Sequence, residues 1–154
     1  MDVVIGRESP LAKDLAPLFE RHTADMHADT PPESIHMLPR EDLAVPGIDF
    51  LVLRDGQGTA VAMGAIKRID ATHGELKSMH VLAERRGEGL SREMLSALVA
   101  QARGRGFQRL SLETGVQPSF QAARALYAGW GFTECGPFEG YGPDPNSLFM
   151  TLAL

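Results

Sequence analysis

Apolar positions recur along this chain at two spacings, and the switches between them predict its elements. Val3 to Ile5 reads as a short first strand, and Pro10 opens a helical pattern carried by Leu11, Leu15, Leu18 and Phe19. From His27 to Pro46 prolines and polar residues predominate, which predicts a loop region with one short helix near Pro32 to Met37. Phe50 to Leu53 and Ala60 to Met63 flank the turn Asp55 to Gly58 (DGQG) and predict a hairpin. A third strand is expected from Gly74 to Val81. The segment from Gly89 to Arg103 puts Leu90, Met94, Leu95, Leu98, Val99 and Ala102 on one helical face, and Gly104 and Gly106 end it. Arg109 to Glu113 alternates like a strand, Phe120 to Trp130 reads as a helix ended by Gly131, and Phe132 to Cys135 and Leu148 to Leu152 read as closing strands. Strands, then helix, strand, helix and strands predict a three-layer α/β arrangement around a mixed sheet.

Alternation along the third strand places Glu75, Lys77, Met79 and Val81 on one side and Leu76, Ser78 and His80 on the other. Composition narrows the functional classes. With 154 residues, 44% of them apolar, the chain suits a single domain with its own core. A net charge of −5 gives no electrostatic footprint for nucleic acid and favours cationic partners such as amines. The stretch MDVVIGRESP has an acid at position 2 and no long apolar region, so no secretory leader is expected, and no segment of the chain approaches the apolar length of a membrane span. One cysteine, Cys135, rules out an intrachain disulfide and a cysteine-built metal site, and points to a reducing cytoplasm. The five histidines show no compact ligand spacing, so no metal is expected.

The chemistry concentrates between Val81 and Leu95 (VLAERRGEGLSREML), where a strand ends and Arg86, Gly87 and Gly89 lead into a helix. Glycines at such a junction leave backbone N–H groups uncovered at the positive end of the helix, which is a seat for phosphate. The spacing Arg86-x-x-Gly89-x-Ser91 resembles the pyrophosphate-binding motif of the GCN5-related N-acetyltransferase family, which runs Gln or Arg, two residues, Gly, one residue, Gly or Ala. ELKSMHV (Glu75 to Val81) resembles the strand that precedes the motif, and ARALYAGWGF (Ala123 to Phe132) resembles the family's late helix. Two departures are visible. Ser91 replaces the last small Gly or Ala, and Phe120 and Gln121 stand near the place of an asparagine that often begins the late helix.

The resemblance implies the acyl-CoA N-acyltransferase fold, an α/β (α+β) domain spanning residues 1–154 with a central, mostly antiparallel mixed sheet flanked by helices. It implies acetyl-coenzyme A as cosubstrate, bound by Met79, His80, Val81, Arg86, Gly87, Glu88, Gly89, Leu90 and Ser91, and transfer of its acetyl group to a primary amine. Glu75 is then the candidate general base, because an ammonium group of pKa about 10 must lose a proton before it attacks. Tyr127 is the candidate acid for the departing thiolate. The strand that carries Met79 and Val81 is expected to splay from its neighbour and pair with the pantetheine arm.

The acceptor side is expected in two loops, with His27 and Glu33 from the first and Tyr141 and Asn146 from YGPDPNS as candidate contacts. A similar Pro-Pro-Glu-Ser loop and Asp-Pro-Asn-Ser tail mark a bacterial subgroup of the family. A small-molecule amine, attacking directly in a ternary complex, is the acceptor expected; the family resemblance leaves a homodimer open. A non-catalytic acyl-CoA-binding module and a protein-interaction module on the same fold are the alternatives.

Overall fold

In the computed structural model, which describes residues 3–154, the DGQG turn joins β2 (Ile48–Arg54) to β3 (Ala60–Arg68). Asp55 Oδ1 accepts the N–H groups of Gln57 and Thr59 at 2.9 and 3.1 Å, and Gly58 takes the positive φ of +81° that the turn needs. The other strands are β1 (Val4–Arg7), β4 (His73–Val81), β5 (Arg109–Gly115), β6 (Thr133–Cys135) and β7 (Ser147–Ala153). All join one sheet in the order β1-β2-β3-β4-β5-β7-β6. Every pairing is antiparallel except β4 with β5, so the sheet is mixed and mostly antiparallel, with helices packed on it, as the sequence implies.

Among the described residues three α-helices accompany the sheet: α1 (Ala16–Asp29), α2 (Leu90–Gly104) and α3 (Gln121–Trp130). The α2 stripe is buried as predicted, from Leu90 through Met94, Leu95, Leu98 and Val99 to Ala102. Leu95 and Leu98 are fully enclosed, and each such side chain contributes roughly 1.5–3 kcal/mol. Gly64 on β3 has no side chain because Leu98 Cδ1 would stand 2.6 Å from its Cβ. The far end of α2 is tied to the sheet by Arg105 and Gln101, both bonded to the buried carboxylate of Asp49.

The start of the first helix differs from the periodicity. Leu11 is exposed, and a 3₁₀ turn (Lys13–Leu15) precedes α1, because Ser9 Oγ accepts the Leu11 N–H and holds the chain in a turn. The end differs more. α1 runs to Asp29 and takes in His27, which the sequence assigns to a loop. Its inner face continues past Leu18 and Phe19 through His22, Met26 and the capping Thr30, and the two polar members of that stripe hide its period. Beyond it the segment up to Pro46 holds two 3₁₀ turns, Pro32–Ser34 and Arg40–Leu43.

β4 carries the decisive irregularity. Met63 pairs with His80 and Ala65 with Lys77, so two residues of β4, Ser78 and Met79, stand opposite the single Gly64 of β3, and Ser78 takes φ +55°. This bulge reverses the expected alternation beyond it. Glu75, Lys77 and His80 share the face covered by α1, whereas Leu76 and Val81 face α2. Leu98 beneath Gly64 and the His22 ring on His80 mark those two faces. The predicted grouping of Val81 with Glu75 is therefore wrong, and the extra residue of the bulge is the reason.

Candidate active site

The parallel ladder between β4 and β5 covers only His73 to Leu76 against Arg109 to Leu112. Beyond it the strands part. β3 stays paired to β4 as far as Val81, and β7 stays paired to β5 as far as Gly115. The result is a wedge whose inner edges, after Leu76 and after Leu112, have no strand partner on that side among the described residues. Two cavities open from it, and His22, Met26, Met79, Phe120, Ala123 and Tyr127 line both.

The first cavity leads to the loop before α2. Gly87 and Gly89 take φ +85° and +81°, with nothing within 4 Å of where a Cβ would stand, and Gly89 caps α2 without any side-chain hydrogen bond. The first-turn N–H groups of α2 thus face open space at the positive end of the helix dipole. Of the residues expected to bind the cofactor, Met79, His80, Val81, Arg86, Gly87 and Ser91 line this groove. Glu88 and Leu90 do not offer side chains to it. Glu88 is paired with Arg85 at 2.9 Å, and Leu90 is buried beneath α2, which leaves their backbone. Arg86 donates from Nε to the Val81 carbonyl at 3.2 Å and pairs with Asp25 of α1 at 3.1 Å, so its side chain closes the loop against strand and helix.

The second cavity lies over the α1 face of β4 and β5, beneath the segments 31–46 and 136–146. Glu75 is 2% exposed, and its Oε2 accepts from Lys77 Nζ at 3.1 Å and from the Tyr141 hydroxyl at 2.5 Å. Lys77 Nζ also donates to Tyr141 Oη at 2.9 Å and to the His36 carbonyl at 3.5 Å. Burial and the hydrogen bond to Glu75 push the Tyr141 phenol well above its ordinary range. Glu113 on β5 lines the same cavity, and burial pushes its carboxyl up. Tyr127 stands on α3 where the two cavities meet. Burial raises its phenol too, and among the described residues its hydroxyl has no hydrogen-bond partner.

The two sequence motifs on the acceptor side form one clasp. Ser34, 3% exposed, donates to Asp144 Oδ1 at 3.0 Å and accepts from Asn146 Nδ2 at 3.2 Å. The Asn146 N–H holds the same Asp144 oxygen at 2.8 Å, and His36 Nε2 stands 3.6 Å from Oδ2. These contacts, the backbone bond from Asn146 first, hold the Asp144 carboxyl below its ordinary range. Of the expected acceptor contacts, Tyr141 and Asn146 line the cavity. His27 and Glu33 do not: both are exposed, His27 on the outer face of α1 and Glu33 on the outside of a 3₁₀ turn whose Ser34 points inward. Lys77, Glu113, Met26, Thr30 and Met37 are lining residues that the list of expected contacts lacks.

Among the described residues no group of three or more His, Cys, Asp or Glu side chains could hold a metal ion, and no helix is long and apolar enough to cross a membrane.

A wedge between parallel strands, a glycine loop at a helix N-terminus, a tyrosine where the two cavities meet and a buried carboxylate in the second cavity match the plan of an acyl-CoA N-acyltransferase. The chain belongs to the GNAT family of acetyltransferases, whose family model matches residues 14–132. It is 43% identical over 142 residues to YsnE of Bacillus subtilis (strain 168), an uncharacterized N-acetyltransferase, covering 92% of this chain and 93% of that one. It is 44% identical over 158 residues, 99% of each chain, to an IAA acetyltransferase of Azospirillum brasilense. A solved structure from Klebsiella pneumoniae subsp. pneumoniae MGH 78578, assigned to the acyl-CoA N-acyltransferases, superposes with a TM-score of 0.82 at 32% identity. That match covers 99% of this chain and 97% of that one. The protein is thus an acyltransferase of the N-acetyltransferase class, and its cosubstrate is acetyl-coenzyme A.

Proposed function

We propose that this protein acetylates a primary amine of a small molecule by direct attack in a ternary complex. The observation that carries the reading is the meeting of the two cavities at Tyr127, with the phosphate loop at the far end of one and Glu75 in the other. Bound acetyl-coenzyme A supplies the acyl group as a thioester. Gly87, Gly89 and the first turn of α2 hold its pyrophosphate through backbone N–H groups, and the free edge of β4 from Met79 to Val81 holds the pantetheine arm. Arg86 shapes this seat by tying the loop to Val81 and α1. The open space at both glycines and the uncapped helix end support this placement.

Glu75 accepts the amine proton, with the Tyr141 hydroxyl as the bridge: Tyr141 passes its own proton to Glu75 and takes one from the amine. The new N–C bond forms as the S–C bond breaks, and Tyr127 gives its hydroxyl proton to the departing sulfur. A phenol raised by burial is protonated at neutral pH, and with no other partner among the described residues it is free to direct its O–H at the departing sulfur. Holding amine and thioester side by side supplies much of the rate.

Thiol release from acetyl-CoA, measured across a panel of primary amines, tests this reading. With an accepted amine, Tyr127→Phe is expected to lower kcat by about 100-fold and to leave acetyl-CoA affinity within about threefold. Full turnover by Tyr127→Phe would remove the tyrosine from the mechanism, and release with no amine in the panel would refute the acceptor class.

A further inference from the structure

The mechanism above leaves one carboxylate of the acceptor cavity without a task. Glu113 is the first residue of β5 past Leu112, the last one paired to β4, so it stands at the fork of the wedge. Ser111 is level with Glu75 in the ladder, and alternation puts Glu113 on the same face as Ser111, Glu75 and Lys77. Its carboxyl lines the cavity beside Ser147 and is acted on by the charges of His36, Lys77 and Glu75.

The cations of the cavity are already engaged. Lys77 has three protons and gives them to Glu75, Tyr141 and the His36 carbonyl, and the Glu75–Lys77 pair is electrically neutral. His36 faces Asp144, which also accepts from Ser34 and Asn146. Among the described residues no ion pair reaches Glu113. A half-buried carboxylate at the mouth of a cavity, with no cation of its own, is costly to an empty site and is relieved by a cationic ligand.

Building on the amine-acetyltransferase reading, we propose that Glu113 is the anchor for the acceptor's ammonium group, and that the site takes cationic amines with no carboxylate beside the amine. Glu113 holds the ammonium and remains ionised; the proton removed before attack goes through Tyr141 to Glu75. An α-carboxylate on the acceptor would be brought close to Glu113 and Asp144 with no free cation to meet it, so α-amino acids are rejected.

The test uses pairs of compounds that differ only by the α-carboxylate: 2-phenylethylamine with L-phenylalanine, isobutylamine with L-valine, 3-methylbutylamine with L-leucine. Binding to the CoA-loaded protein is read by calorimetry and acetylation by thiol release. Wild-type protein is expected to bind and acetylate amines and to discriminate against each amino acid by about 100-fold or more. Glu113→Gln should raise KM for the amine by about tenfold or more with kcat within about threefold, whereas Glu75→Gln should lower kcat with little change in KM. Glu113→Asp, which keeps the charge, should fall between wild type and Glu113→Gln.

An unchanged KM in Glu113→Gln, equal use of an amino acid and its amine, or no amine binding to wild type overturns the proposal. Amine binding that Glu113→Gln abolishes, without acetylation of any amine, would support the anchor and refute the amine-acetyltransferase reading. If Glu113→Gln does not fold, the paired compounds on wild-type protein decide alone.

Discussion

His22 on α1 and His80 on β4 meet edge to face, ring centroids 5.2 Å apart, and burial pushes both imidazoles down to about 4. Asp25 partly offsets this at each ring, while His22, Arg86 and Arg21 depress His80 further. The unfolded chain protonates near pH 6.5 and the folded chain only near 4, so below pH 6.5 the unfolded state binds more protons. The stability tied to these rings is therefore complete above pH 6.5 and is lost as pH falls towards 4. The limit is roughly 3 kcal/mol for each ring. Among the described residues His80 Nε2 also has no hydrogen-bond partner, so no bond at that atom is broken by a substitution. His80→Leu is expected to match or exceed wild-type stability at pH 5 and to lose less between pH 7 and pH 5. Urea unfolding of both proteins at the two pH values checks this, and parallel losses would mean that His80 takes up its proton as readily in the folded protein as in the unfolded chain.

At the scale of elements, β4 is both strand and hinge, and Ser78 makes it so. A left-handed backbone costs a non-glycine residue about 1–2 kcal/mol, and more for a β-branched one. Ser78→Val is expected to destabilise the protein by about 2 kcal/mol and weaken acetyl-CoA binding, whereas Ser78→Gly keeps both. Chemical unfolding and calorimetric titration give the two readouts, and a fully stable Ser78→Val would show that the bulge tolerates a second geometry. This bulge is also where the sequence stops being legible. α2 was readable because all six residues of its buried stripe are apolar. ELKSMHV alternates cleanly in sequence, and nothing local announces that one residue will drop out of register and exchange Val81 for His80. The inner face of α1 escaped for the opposite reason: His22 and Thr30 are polar because they face a site, which breaks the apolar period that would mark the helix. His27 and Glu33 sit close in sequence to residues that line the cavity, but neighbours on a helix or a tight turn point elsewhere. Glu113 looks like an ordinary outward residue in RLSLE, since alternation tells which residues share a face and not which loops cover it.

Across the whole molecule the sheet behaves as two parts, β1 to β4 and β5 to β7, joined through four residue pairs at one end of the wedge. At the open end the ladder between these two strands stops, so the backbone groups on that side of β4 and β5 have no strand to pair with. A pantetheine arm paired to the free edge of β4 would complete that half of the ladder, while the phosphate loop holds the other end of the same molecule. Binding should then order backbone well beyond the loop that contacts the phosphates. Hydrogen exchange resolves this. In the free protein the amides of Leu76 and Leu112, inside the ladder, should exchange slowly, and those of Met79 to Val81 that point into the wedge should exchange fast. Acetyl-CoA should slow the second set and the first turn of α2 together, and free coenzyme A, which carries the same pantetheine arm, should protect both in the same way. Inorganic pyrophosphate, which can reach only the loop, should slow α2 alone. Protection of the β4 edge by pyrophosphate would mean that the wedge closes on loop occupancy rather than on strand pairing. No protection of that edge by acetyl-CoA would place the arm elsewhere and leave the splayed strand as a feature of folding alone.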